Sequence, residues 1–208
     1  MTQLFPAAPY ASCSSFGSAY FEALSAAASG VDFTALDRAA DAISQTFARD
    51  GFVYICGNGG SAAIANHSLC DLLKGLRTDT TLRPRVISLA AHTEANSALS
   101  NDISHDEIFA YQLESMARPG DLLWTVSSSG NSQNVVRALE VARGISLTTL
   151  SFTGFEGGRS RGMADVNVHV DSNNYGVVED IHMGFVHVLA QFLRMKNMDP
   201  ALVGQRKF

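Results

Sequence analysis

Short apolar runs rich in β-branched residues alternate with amphipathic windows along most of the chain. Phe33, Leu36, Ala40, Ile43 and Phe47 recur at helical spacing, after an earlier helical stretch over about 16–28. Residues 51–57 (GFVYICG) are almost continuously apolar and predict a strand buried on both faces. Further strands are predicted at 85–89, 121–127, 145–152 and 166–170, with helical windows between them at about 61–76, 106–116 and 131–143. A long final helix is predicted over 178–196, with Ile181, Phe185, Val188, Leu189 and Phe192 on its apolar face. Apolar strands separated by helices imply a parallel sheet covered on both sides. Residues 1–15, with Pro6 and Pro9, predict a loose arm, and 157–162 a polar loop.

Composition narrows the class. At about 150 residues per domain, 208 residues suggest one domain over the whole of 1–208, and no linker or internal repeat divides it. With 46% apolar and 17% charged residues the chain can bury a core without staples. A net charge of −5 and no basic stripe argue against a nucleic-acid partner; Arg159 and Arg161 make only a local patch. No apolar run is long enough to span a membrane, and the first 15 residues lack the Lys or Arg of a secretory leader. Three cysteines without CxxC spacing disfavour disulfides and structural zinc. A cytoplasmic location is the expectation.

Two loops share one design. Asn58, Gly59, Gly60 and Ser61 follow the first strand and open a helix; Ser127, Ser128, Ser129 and Ser132 end a later strand and open another. Ligands of open parallel sheets bind beyond the carboxyl ends of the strands, where a helix N-terminus offers unpaired N–H groups to a phosphate. Either loop alone is also an ordinary strand-to-helix turn with Ser and Asn caps. Neither contains the glycine-lysine signature of nucleotide phosphates, which leaves a single phosphoryl group on a small molecule.

Ionisable residues cluster nearby. His67 and Asp71 are four apart on one helix face, a spacing suited to a divalent metal or to acid–base work. Glu179, Asp180, His182 and His187 crowd the start of the last helix. A histidine amid apolar neighbours reads first as a core residue, and both His182 and His187 carry that reading. Asn101 and Asp102, taken alone, are a turn or cap signal.

These residues, in this order and spacing, resemble the sugar isomerase (SIS) domain family over nearly the whole chain, and within it the phosphoheptose isomerases. The resemblance rests on Cys56–Ser61 (CGNGGS) with His67, on Ser100-Asn101-Asp102, on the Gly-Asp-Leu-Leu run before Ser127–Ser132, and on Glu179 through His187. It implies a three-layer α/β/α sandwich with a five-stranded parallel sheet. It also implies a homotetramer with active sites at subunit interfaces, the N-terminal helices over about 16–50 contributing to the interface. The reaction implied is conversion of sedoheptulose 7-phosphate to a heptose 7-phosphate through an enediol, supplying heptose for lipopolysaccharide. By the same resemblance Ser127, Ser128, Ser129 and Ser132 cradle the phosphate, while Asn58, Gly59, Gly60, Ser61, Asn101 and Asp102 contact the sugar with Asp71 and Glu179. One zinc per subunit is implied at His67, Asp71, Glu179 and His187, with Asp71 and His187 moving the protons.

Two positions depart from the usual pattern: Asp71 stands where Glu is commoner, and Glu179 where Gln is. Glu179 and His187 also lie eight residues apart, about 12 Å of helical rise. One metal reaches both only if their side chains converge or if the helix begins after Glu179, which Gly176 would permit. Two alternatives accompany the isomerase reading. One is a non-catalytic scaffold like the replication-initiator-associating members, to which Asp102–Asp106 is the nearer match while His187 is not. The other is an isomerase for a different sugar phosphate.

Overall fold

The amphipathic window at 33–47 becomes a helix because its apolar positions fall on one stripe. In the computed structural model, which describes residues 5–208, Leu36, Ala39, Ala40 and Ile43 are all buried on one face of it. The elements run α1 (Cys13–Ser29), α2 (Phe33–Ala48), β1 (Phe52–Cys56), α3 (Gly60–Cys70), β2 (Arg85–Ser88), α4 (Thr93–Asp102), α5 (Ala110–Met116), β3 (Leu122–Ser127), α6 (Gln133–Gly144), β4 (Thr148–Thr153), α7 (Gly158–Met163), β5 (Val166–His169) and α8 (Tyr175–Asn197). Local chemistry sets several starts: Ser12 and Ser15 form a capping box on α1, Asp32 caps α2 and Asn174 caps α8.

The five strands form one parallel sheet in the order β2-β1-β3-β4-β5. Every residue of β3 is buried, whereas the edge strands β2 and β5 alternate between buried and partly exposed positions. Successive side chains feed opposite layers. Val53 and Ile55 face one core with α2, α3 and α8; Tyr54 and Cys56 face the other with α5 and α6. The expected α/β/α sandwich is therefore present. The chain leaves β1 towards β2 on one side and later returns to β3 on the other, so β1 and β3 flank the point where strand order reverses.

Four expectations change. The helix predicted over 61–76 ends as a regular helix at Cys70 and continues through a wider π-type turn, Asp71–Gly75, closed by the Leu76 N–H on the Asp71 carbonyl. The strand predicted over 145–152 begins at Thr148, because Ile145 and Ser146 close the end of α6. The polar loop at 157–162 contains the short helix α7. In the arm, Phe5 packs against Tyr10, Phe16 and Tyr20, so its described part is docked and not loose.

Candidate active site

The loop after β1 and the loop after β3 meet in a cleft of 260 Å³. It is lined by Asn58–Ser61, by Ser127, Ser128, Ser129 and Ser132, and by Tyr175 and Glu179 of α8. Parallel strands force this meeting, since neighbouring strands deliver their loops to the same edge and β1 pairs directly with β3. Each loop opens a helix, so the cleft faces two helix N-termini whose first N–H groups have no partner within the helix. Gly59 stands at φ +53°, and Gly60 has no room for a side chain because a Cβ there would collide with the Glu179 carboxylate.

Within the cleft the hydroxyls differ. Ser127 Oγ accepts from the Gly130 N–H at 3.2 Å and Ser129 Oγ from the Asn131 N–H at 3.3 Å, bonds that shape the loop. Ser128 is buried, yet its hydroxyl has no partner among the described residues. Such a group is costly unless a ligand completes it. Ser132 caps α6 without using its side chain. The Asn58 amide is already committed: it exchanges two hydrogen bonds with Asn134 at 2.8 and 3.0 Å, and Asn134 donates in turn towards His105 Nε2 at 3.2 Å. Asn58 thus ties the first loop to the first turn of α6.

A second constellation lies further along α3, its π-type continuation and α8. His67 Nε2 and His187 Nε2 approach to 3.0 Å, and Asp71 Oδ2 lies 3.3 and 3.8 Å from them. Two imidazoles and a carboxylate at these separations match the spacing of roughly 3.3 Å between donors on a tetrahedral zinc with bonds near 2.0 Å. Three ligands leave the open position of a catalytic site. The residues fit a divalent metal. Of the four expected ligands, the structure brings His67, Asp71 and His187 within reach of one ion, and Glu179 lies outside that group. The reason is the start of α8: the helix begins at Tyr175, so Glu179 and His187 sit two regular turns apart. Burial and the neighbouring Asp180 hold the Glu179 carboxyl above the usual carboxylate range.

His187 is half-exposed in this constellation, whereas His182 is fully buried against Thr153 and Phe152 of β4, as a core histidine would be. Asn101 and Asp102 are exposed at the end of α4, their side chains bonded to each other at 2.7 Å, and neither lines the cleft. Tyr175 and Asn134 escaped the sequence reading. Asn134 had a signal, an amide at a buried position of an amphipathic helix; Tyr175, exposed beside the cleft and packed edge-on against Phe155 at 4.7 Å, had none.

Comparison with known proteins decides the family. The SIS domain profile matches residues 19–154, about two thirds of the sequence. The chain belongs to the SIS-domain family. This SIS chain is 37% identical over 158 residues to the phosphoheptose isomerase of Aliarcobacter butzleri, covering 76% of itself and 83% of that protein. It is 38% identical over 158 residues to that of Desulfovibrio desulfuricans, covering 76% and 75%. Among solved structures, phosphoheptose isomerase GmhA from Neisseria gonorrhoeae superposes with a TM-score of 0.81 at 27% identity, over 88% of this SIS chain and 98% of that one. No helix of the described residues is long and apolar enough to cross a membrane.

Proposed function

We propose that this SIS-domain protein interconverts sedoheptulose 7-phosphate and a heptose 7-phosphate. The observation that carries the reading is the convergence of the two strand-end loops on one cleft with an unpartnered, buried Ser128 hydroxyl. Its relatives named phosphoheptose isomerase point the same way. Ser128, Ser129 and Ser132 and the α6 N–H groups hold the phosphate. Asp71 takes a proton from C1 of the ketose and returns it to C2, while His187 handles the proton moving between O1 and O2. Asp71 turns Oδ2 to the two imidazoles, which leaves Oδ1 for the carbon-bound proton.

His67, Asp71 and His187 would hold one zinc per chain, the metal supplying Lewis-acid polarisation of the sugar oxygens when bound. Protein purified without chelators should contain about one divalent metal per chain by elemental analysis, and H67A should lose it. Metal-free protein with full activity would reduce the ion to a bystander.

The protein is taken to work as a cytoplasmic homotetramer, with α1 and α2 at the interface. The test of function is NMR of sedoheptulose 7-phosphate incubated in D₂O. Aldose product with deuterium at C2 is expected. Neither product nor solvent exchange at C1 would overturn the reading.

A further inference from the structure

The phosphate loop as described has no cation of its own, since residues 127–132 are serines, a glycine and an asparagine. A cation is nevertheless tied to it from outside. On α7, the Arg159 backbone N–H donates to Asn131 Oδ1 at 3.1 Å. Arg159 Nη2 donates to the Asn131 carbonyl at 3.3 Å and to Gln133 Oε1 at 2.7 Å. One side chain therefore grips the residues on either side of Ser132. The backbone reinforces the grip. The Ser160 N–H donates to the Gly130 carbonyl at 3.0 Å, and Gly130, at φ +63°, lies so close to Gly157 that a Cβ would run into the Gly157 carbonyl.

The charge sits where the helix alone would repel it. The N-terminus of α6 carries a partial positive charge, so a guanidinium bonded to its first residue raises an unfavourable potential. Holding a long exposed side chain in one place also costs rotamer entropy. An anion bound beside Ser128 reverses the sign of the first effect. The N-terminal amides, the unpartnered hydroxyl and the guanidinium then all favour it.

We propose that Arg159 is the positioning residue of the phosphate loop, holding Asn131 and Gln133 about Ser132 and supplying the charge that favours the dianion of a phosphate monoester. The inference rests on the phosphosugar reading of the cleft and extends it to a segment outside both loops. An arginine suits the task because its rigid fork serves two acceptors at once, which an ammonium on a flexible stem does less well.

The test uses the full-length protein with R159Q, R159K and a charge control, R143Q, at the exposed far end of α6. Kinetics with sedoheptulose 7-phosphate and calorimetry with inorganic phosphate are run at low and high salt. R159Q is expected to raise KM and weaken phosphate binding about tenfold, with kcat within about twofold, and to lessen the salt dependence of both. R159K should recover part of the affinity, and R143Q should match the wild type. Unchanged KM and phosphate affinity in R159Q would overturn the proposal, as would a fall in kcat alone or an equal effect of R143Q. Wild-type protein that binds phosphate without isomerising the sugar, and loses that binding in R159Q, would support Arg159 and overturn only the proposed reaction.

Discussion

Asp71 is asked to do two things with one short carboxylate, facing two imidazoles and moving a proton. D71N keeps its shape and removes its basicity, so kcat should fall by about 10²-fold or more; near wild-type turnover would take Asp71 out of the chemistry. D71E restores the length commoner in the family and should retain substantial activity. His182 offers a second residue-level test. Burial pushes its imidazole down to about 4, while its Nε2–H donates to the Thr153 carbonyl at 3.2 Å and its Nδ1 has no partner among the described residues. Unfolded, the same ring titrates near 6.5. Between these values the unfolded chain binds a proton that the folded one refuses. The stability is thus complete above about pH 6.5 and lost as pH falls towards 4, by up to about 3 kcal/mol. Denaturant melts of H182L and the wild type between pH 7 and 4 should show a shallower decline in the variant; parallel declines would exclude the effect. The cleft residues were legible because Gly and Ser at a strand end leave few alternatives to a turn that opens a helix. Tyr175 was not, since an exposed aromatic at a helix start is common without a ligand.

At the level of elements, the interlock between the β3–α6 loop and α7 sets the rigidity of the cleft. G130A places a Cβ against the Gly157 carbonyl at a positive φ, and should cost about 2 kcal/mol or more of stability. G144A, at the end of α6 with nothing within 4 Å of the new methyl, should be neutral or stabilise by about 0.5 kcal/mol. Chemical denaturation distinguishes the two, and equal stabilities would dissolve the interlock argument. Periodicity made α2, α6 and α8 plain, because each covers a sheet face or a helix with a continuous apolar stripe. It could not reveal α4, whose sequence TEANSALSND has no buried residue to set a period. Nor could it reveal the π-type turn at Asp71, where the change lies in which carbonyl each N–H chooses.

For the molecule as a whole, the surface is more apolar than a free monomer needs. No residue of α1 is buried, Phe21 is 67% and Phe33 56% exposed, and Val188, Phe192 and Met195 add to the outer face of α8. Light scattering should give four times the 22.2 kDa chain mass, and F192D should shift it downward. A wild-type mass of one chain at micromolar concentration would remove the interface. The strand order bears on how such a molecule comes to exist. β1 sits inside the sheet, yet it is made first and its partners come late, Val86 for one edge and Leu122, 69 positions after Val53, for the other. During synthesis its apolar strand waits with both edges open while the chain for β2 and then β3 is still being assembled. Closing those long separations must precede any reward from contact, which slows folding and exposes a template for mispairing. The arrangement that gathers two loops into one cleft therefore makes the newborn chain dependent on its last-arriving neighbour, and a nascent polypeptide cut short before residue 122 would expose the centre of its own sheet.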